Sequence, residues 1–572
     1  MNLRFFTIEV ERNADIERCR NARPHTAEAR QQGRLPWIGL GLLVASSAIA
    51  AGWGGWLVAG GDPTRVELAS WVAFLTSSGS AEADDQARLE VISQPGGATV
   101  TIDGQRRGST PLELQVAHGS HTLVLMHPDA IDEQRQIWVA DDMTINVSMW
   151  LRRPTAMLLK PAYPGASIAD VAFLEDGRLG LSMASAIGSA GGGEHSFREP
   201  WIFDPTRGSL AEFTTLRPSL RTAKVAISPD GLHVAYPQLD ESTSHVAGVS
   251  ARLKEVWVAD ASASPVRVFA LPSANAGSTS DSASSGDIEA VHDLTWTPDG
   301  NHLLITVRLA AIGGGYPSAP RSRLLLVDAS PEQLTPPVEL MTLPAEVVAS
   351  SYTWAPDGNW VAFLTQASSR SGGSSFVALC ALDTSAGGAM SGFRYLADLE
   401  ATSNLASPLP VAPAAWSPMG NGRVVYAAAT PKLSVSNPLG LPTTSGGEPG
   451  LFVATPVGQG LTAEEGQRLG SGTGLTAPAW ASGSELDGAG VLALTRSDRG
   501  SKPLIIRGVD AVNGMPQNLD VVLPAAVGGS GVVAGRWDLA HGRLLVLARH
   551  DNSNSGLLDY WLVELQARAG AN

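Results

Sequence analysis

Cysteine is nearly missing from this chain: 572 residues hold two, Cys19 and Cys380. A disulfide scaffold and a thiolate zinc site are thereby excluded. Charge is scarce as well. Asp, Glu, Lys and Arg make up 17% of the residues, and their balance is −15. No basic footprint for nucleic acid or anionic lipid is offered, so no nucleic-acid partner is expected. Signature motifs of common chemistry are missing too. No Gly-x-Ser-x-Gly elbow, His-Glu-x-x-His, phosphate loop or Cys-x-x-Cys occurs. The sequence therefore assigns no catalytic, cofactor-binding or metal-ligating residue, implies no cofactor, and reads as a non-enzyme.

What is plentiful is glycine (61) and tryptophan (15). Together they favour many short strands joined by turns over long helices, and a mostly β fold is expected. The length calls for two or more folded units.

Residues 37–61 contain no charged side chain, and Trp37, Trp53 and Trp56 lie toward the ends of the run. As a helix this segment is long enough to cross a hydrocarbon core of about 30 Å, with its indoles at the water interface. A cleaved signal peptide fits less well, because residues 1–36 are long and mixed in charge for its n-region. Those 36 residues carry seven arginines and five acids. Positive-inside bias then places them in the cytoplasm and the C-terminal bulk outside it. The expectation is a single-pass cell-membrane protein with a cytoplasmic tail (1–36), a transmembrane helix (37–61) and a linker (62–87). Cys19 and Cys380 would then lie on opposite sides of the membrane and could not pair.

Residues 88–151 alternate apolar and polar at period two between turn residues. Leu89–Ile92 and Thr99–Ile102 read as strands, the second closed by the hairpin dipeptide Asp103-Gly104. Leu114–Val116, Gly119–Leu125 and Thr144–Trp150 supply more. Ser93, Pro95, Ala98, Val100, Ile102, Asp103, Gly104, Gly108, Thr110, Pro111, Leu112, Gly119 and His121 together resemble the PEGA domain. Its naming tetrapeptide stands here as Pro95-Gly96-Gly97-Ala98, without the glutamate. The resemblance implies a small β-sandwich-like extracytoplasmic module with no chemistry of its own. His118, His121 and His127 invite a metal reading, but their spacing matches no standard ligand set, and a structural role is expected.

From 154 to 566 a unit recurs: an apolar strand ending in an aromatic residue, a Pro-Asp-Gly turn, and a second apolar strand. Val225–Tyr236, Leu294–Ile305 and Tyr352–Phe363 are clean copies, and four further copies are degraded. The matched positions are Phe173, Ile227, Trp296, Trp354, Trp416, Trp480 and Trp537. Proline presets the first corner of the turn, aspartate accepts local backbone bonds, and glycine takes the left-handed conformation. Asp230, Asp299 and Asp357 are accordingly read as turn formers rather than calcium ligands. Third and fourth strands follow in most copies, so each unit is a four-stranded blade. The pattern resembles the propeller of TolB and of the prolyl oligopeptidase family, which implies a fold and not a function. Seven blades are counted, and the degenerate units leave six open. Thr155–Lys160 is expected to supply the last blade's fourth strand and seal the ring. Residues 567–572 are a tail.

Long Ser/Gly/Ala-rich loops fall at 185–198, 239–252, 273–287, 310–321 and 430–448, all on one face of such a ring. That face is the expected contact surface for protein or glycan, with the membrane as the other partner. The sequence thus reads as a membrane-anchored extracytoplasmic binding or scaffold protein. Two alternatives stay open. One is a propeller enzyme, a lyase or hydrolase with its site in the central channel, and the other is an accessory subunit of a membrane assembly.

Overall fold

The computed structural model describes residues 86–187, 195–213, 224–239, 253–260, 265–271, 287–311, 321–329, 335–343, 347–367, 376–386, 392–399, 414–418, 422–428, 433–434, 443–444, 450–456, 467–469, 475–480, 490–495, 504–511, 516–528, 532–550 and 558–567. The tail, the apolar run at 37–61 and nearly all of the linker lie outside these residues. No helix among the described residues is long and apolar enough to cross a membrane.

The small domain has seven strands of its own: β1 (Gln86–Gln94), β2 (Thr99–Ile102), β3 (Gln105–Ser109), β4 (Leu112–Ala117), β5 (Gly119–Met126), β6 (Glu133–Val139) and β7 (Met143–Ser148). They form two sheets, β4-β1-β7 and β3-β2-β5-β6. Leu89, Val91, Val100, Ile102, Leu123, Leu125 and Val139 fill the space between them. Alternation in β1 is strict, as a strand with one buried face requires. The motif residues serve this geometry. Ser93 and Thr110 lie buried with their hydroxyls 2.5 Å apart, and Thr110 Oγ1 accepts the Ala98 N–H. Asp103 and Gly104 both take positive φ (50° and 76°), as a two-residue hairpin of the I′ kind needs.

His121 completes that hairpin. Its Nδ1 lies 2.7 Å from Asp103 Oδ2 and its Nε2 lies 2.8 Å from the Ala117 carbonyl. Both ring nitrogens face acceptors, and only the imidazolium donates from both. The Asp103 hydrogen bond raises the His121 pKa above its usual 6.5, and the same bond lowers Asp103 below 3.8. The structural role expected for His121 is the one seen, and His127 accepts the Asp129 N–H at its own turn.

Among the described residues that follow, seven four-stranded antiparallel sheets and one short two-stranded hairpin are formed. Blade I is Ala166–Phe173, Leu179–Ile187, His195–Asp204 and Ser209–Glu212. Blade II is Ala226–Ile227, His233–Leu239, Leu253–Asp260 and Val266–Ala270. Blade III is Asp287–Trp296, His302–Ala311, Arg321–Asp328 and Val338–Thr342. Blade IV is Val347–Trp354, Trp360–Ala367, Phe376–Asp383 and Phe393–Leu399. Blade V is Ala414–Trp416, Val424–Ala428, Gly450–Ala454 and Gln467–Leu469. Blade VI is Leu475–Trp480, Gly490–Thr495, Ile505–Asp510 and Pro516–Val522. Blade VII is Val532–Asp538, Arg543–Arg549 and Leu558–Gln566, and its fourth strand is β8 (Trp150–Leu158), from the far end of the fold.

The second strands explain why these sheets stack. They are mainly apolar, because both of their faces are buried. Leu303, Ile305 and Val307 pack toward blade II, whereas Leu304 packs toward blade IV. Val361 and Phe363 then face blade III, and Ala362 and Leu364 face blade V. Every neighbouring pair of blades shares such a core, including VII with I, where Leu545, Leu547, Tyr560 and Leu562 meet Val171, Leu179, Leu181 and Met183. The succession of sheets therefore closes on itself in a propeller-like ring.

Tryptophan locks the joints. The indole N–H of Trp296 donates to the Ala226 carbonyl of the preceding blade at 2.9 Å. Trp416 does the same to Thr353, Trp480 to Ala415 and Trp537 to Ala477, all within 3.0 Å. The rings cover the residue that follows the neighbouring turn: Trp416 lies 6.1 Å from Trp360, and Arg423 lies 5.2 Å above Trp480. At blade VII the backbones approach closely enough that a Cβ on Gly535 would sit 2.8 Å from that of Ala477.

β8 passes from the small domain straight into blade VII, across the boundary that the sequence placed between 151 and 154. Trp150 is buried in the core between blades VI and VII, and Ile131 of the small domain packs on it. The Ile131 N–H donates to the Trp150 carbonyl at 2.8 Å, and Arg152 N–H to Asp129 at 2.9 Å.

Two outcomes follow from these bonds. Trp416→Phe removes the donor from the part-buried Thr353 carbonyl and is expected to cost about 1–3 kcal/mol. Trp354→Phe removes an indole N–H that is buried without a partner, so it should cost less. Urea unfolding of both variants compares them, and equal losses would refute the role given to the indole bond. For His121, the raised pKa means that its stabilising contribution is complete below pH 6.5 and fades as pH rises through the folded-state value. The lowered Asp103 makes its own contribution complete above 3.8 and loses it as pH falls. Melting temperatures of the wild type and Asp103→Asn should therefore differ most between pH 4 and 6.5, with His121 titrating lower in the variant by NMR.

Candidate functional site

First strands line a cavity of about 180 Å³ on the axis of the ring. Five blades contribute: Arg536 from VII, Asp170 and Ala172 from I, Lys224 and Ala226 from II, Leu294 and Trp296 from III, and Ser351 and Tyr352 from IV. Measured from the matched aromatic position, Asp170, Lys224 and Asp293 occupy one place in the repeat, three residues earlier. Blades IV, VI and VII carry Ser351, Ala477 and Ala534 there. The repeat thus sets three charges at one position, two of which, Asp170 and Lys224, line the cavity while Asp293 lies buried beside Lys224.

A bulge aims two of them. In blade I the pairing shifts around Ala169, and in blade III around His292. An extra residue on one strand kinks it and redirects the next side chain. Asp170 then accepts the N–H of Val171 at 2.8 Å, and Asp293 that of Leu294 at 2.9 Å. The two carboxylates adopt the same local pose because the same irregularity precedes both.

Each acid has a cation beside it. Lys224 Nζ pairs with Asp293, which is only 7% exposed, whereas Lys224 is 32% exposed. Arg536 approaches Asp170 to 4.0 Å and donates to the Val171 carbonyl. Arg198 stands near enough to Asp170 for its charge to be felt. Burial lowers the Arg198 guanidinium pKa, and its Nε is buried without a hydrogen-bond partner. Desolvation by the surrounding protein lowers the His292 pKa, and Arg308 and Lys224 add to that effect against the opposing charge of Asp293. The Tyr352 hydroxyl bonds that of Thr306, and burial pushes its pKa well up. Phe173, Ile227, Leu294 and Trp296 supply apolar lining between these groups, and Ser182, Thr295 and Ser351 supply polar lining.

The turn aspartates lie elsewhere. Asp230 accepts from the Ser228 hydroxyl and the Leu232 N–H, and Asp299 from the Thr297 hydroxyl and the Asn301 N–H. Burial opposes ionisation of both, but these donors outweigh it and hold the carboxyls below their usual range. Asp357 accepts the N–H of Asn359 in the same way. Among the described residues, no three His, Cys, Asp or Glu side chains gather as a metal site would require. The long loops expected to form the contact face lie mostly outside the described residues. The first is shorter than the sequence suggested, because Leu179–Ile187 and His195–Asp204 extend into it. The loop at 430–448 contains a short hairpin, Leu433–Ser434 with Thr443–Thr444.

Sequence reasoning assigned no residue to the axis. A signal was present: aligned on the matched aromatic position, the repeats place Asp170, Lys224 and Asp293 in register where the other blades have small residues.

No curated protein matches this chain. Among solved structures, it is similar to the β-propeller domain of the Trilobed protease from Pyrococcus furiosus, with 11% identity and a TM-score of 0.35, over 71% of this chain and 99% of that one. It is also similar to prolyl oligopeptidase B from Galerina marginata, with 10% identity and a TM-score of 0.34, over 67% of this chain and 47% of that one. For an acylaminoacyl peptidase from Pyrococcus horikoshii the values are 11% and 0.34, over 67% and 49%. The chain spans about half the length of the last two. Likeness at this level carries no argument, and the ring stands on its own sheet order and closure. One part of the chain has a named counterpart: residues 87–154 match the PEGA domain.

Proposed function

We propose that this chain is a binding protein tethered to a membrane by residues 37–61, with the small domain and the ring outside the cytoplasm. The ring contacts protein or glycan through its long-loop face, and the small domain holds it away from the bilayer. The observation that supports this reading is β8. One strand belongs to both bodies, and Trp150 and Ile131 bury the joint, so the small domain acts as a stiff spacer and not as a bead on a string. A stiff spacer serves presentation of a surface, because it fixes the height and tilt of what it carries.

A second reading, a propeller enzyme working on the axis, is favoured by the charged groups gathered there. Against it stands their mutual pairing: Asp293 is covered by Lys224, and Asp170 is engaged by a backbone N–H and by Arg536.

The tether is tested by deleting residues 37–61. The truncated chain should leave the membrane fraction, whereas the intact chain should require detergent for release. Retention of the truncated chain in washed membranes would remove the tether. The contact face is tested by replacing residues 240–252 and 272–286 with short turns and crosslinking the protein in native membranes. Unfolding should stay cooperative while crosslinked partners are lost; an unchanged partner profile would overturn the assignment.

A further inference from the structure

Charges of both signs line the axial cavity, and the fold uses only part of two of them. Asp170 and Arg536 stand side by side on the first strands of blades I and VII, with side chains 36% and 27% exposed. Asp170 engages the protein through one oxygen: Oδ1 accepts the Val171 N–H and faces Arg536 Nη1 at 4.0 Å. Its Oδ2 makes no hydrogen bond or ion pair with the described residues. Arg536 likewise works through one nitrogen. Nη1 meets both the Val171 carbonyl and Asp170, and Nε and Nη2 are left without a partner among the described residues. At 4.0 Å the two groups are beyond hydrogen-bond reach, so they lie alongside each other without locking. Lys224, the third charged residue of the lining, is held by Asp293.

We propose that this cavity binds a small apolar α-amino acid as its zwitterion, with the ammonium on Asp170 Oδ2 and the carboxylate on Nε and Nη2 of Arg536. An anion would gain Arg536 but confront Asp170. A cation would gain Asp170 but confront Arg536 and Lys224. A molecule that carries both charges close together answers the two side chains at once. Each contact is a charge-assisted hydrogen bond, and the planar guanidinium fork meets both oxygens of a carboxylate. Phe173, Ile227, Leu294 and Trp296 line the same cavity, so the ligand side chain that suits it is apolar. The volume of about 180 Å³ limits the ligand to a molecule of about leucine's size. The inference needs neither the tether nor the loop-face contact, because first strands alone build this cavity wall.

Three probes of one shape decide it, titrated by calorimetry into detergent-solubilised full-length protein. They are L-leucine, isocaproate, which lacks the ammonium, and isoamylamine, which lacks the carboxylate. Leucine should bind about tenfold or more tighter than either, the difference expected for one charged hydrogen-bond partner. Equal binding of isocaproate would show that Asp170 reads nothing, and equal binding of isoamylamine would show the same of Arg536. Either result, or no binding of leucine, overturns the proposal. Asp170→Asn should abolish the preference for leucine over isocaproate, and a preference kept in that variant would equally sink it. The three-probe comparison uses only the wild type, so a poorly folded variant leaves the test intact.

Discussion

A strand buried on both faces cannot stand alone, and this constraint organises the molecule. The second strand of each blade is mainly apolar and buried on both faces, so each sheet needs a neighbour on either side. Seven such sheets satisfy one another only if the last meets the first. The inter-blade tryptophans turn this general demand into a specific register. Each one inserts an indole between two blades and donates to a part-buried carbonyl of the preceding one. Hydrophobic burial supplies the driving force, about 1.5–3 kcal/mol per large side chain. The indole bonds decide which surfaces meet.

Closure carries a consequence for the small domain. Blade VII has only three strands of its own at the C-terminal end, and its fourth comes from β8, which precedes blade I in the chain. The small domain is thus fixed to the strand that seals the ring. Trp150 makes this more than a covalent link, because it sits inside the core between blades VI and VII. Loosening the joint would open a blade, so rigidity of the spacer and integrity of the ring share one cause.

How much of this could be read beforehand depended on which residues bore the signal. The ring was legible because Pro-Asp-Gly turns and double-sided apolar strands are both local patterns. The match of Thr155–Lys160 to the last blade was legible because an unassigned strand stood before the first unit and a vacancy stood after the last. In the small domain, β3 went unread: Gln105–Ser109 buries no side chain fully and carries two arginines. β6 was missed as well, its apolar residues being few and its neighbours Gln and Arg. The parallel pairing of β1 with β7 is a non-local choice that no window of sequence contains. Nor does a window show that 151–154 lies inside a strand, since Pro154 looks like a break and yet occupies a strand at the sheet edge.

The axial charges were hidden for a different reason. A charged residue in a half-exposed strand ordinarily marks the solvent side, and Asp170, Lys224 and Asp293 looked like that. The bulges at Ala169 and His292 are what redirect the two acids, and bulges leave no reliable trace in composition. Once the charges are inward, stability alone gives no reason for them. Replacing a buried ion pair with apolar residues of similar volume is often neutral or favourable, whereas removing one partner is costly. A ring built from Val, Leu and Trp could have filled its axis with more of the same, as Ala477 and Ala534 do at the equivalent positions of blades VI and VII. What makes the charges tolerable there is their pairing, since Lys224 covers Asp293 while a backbone N–H and Arg536 engage Asp170.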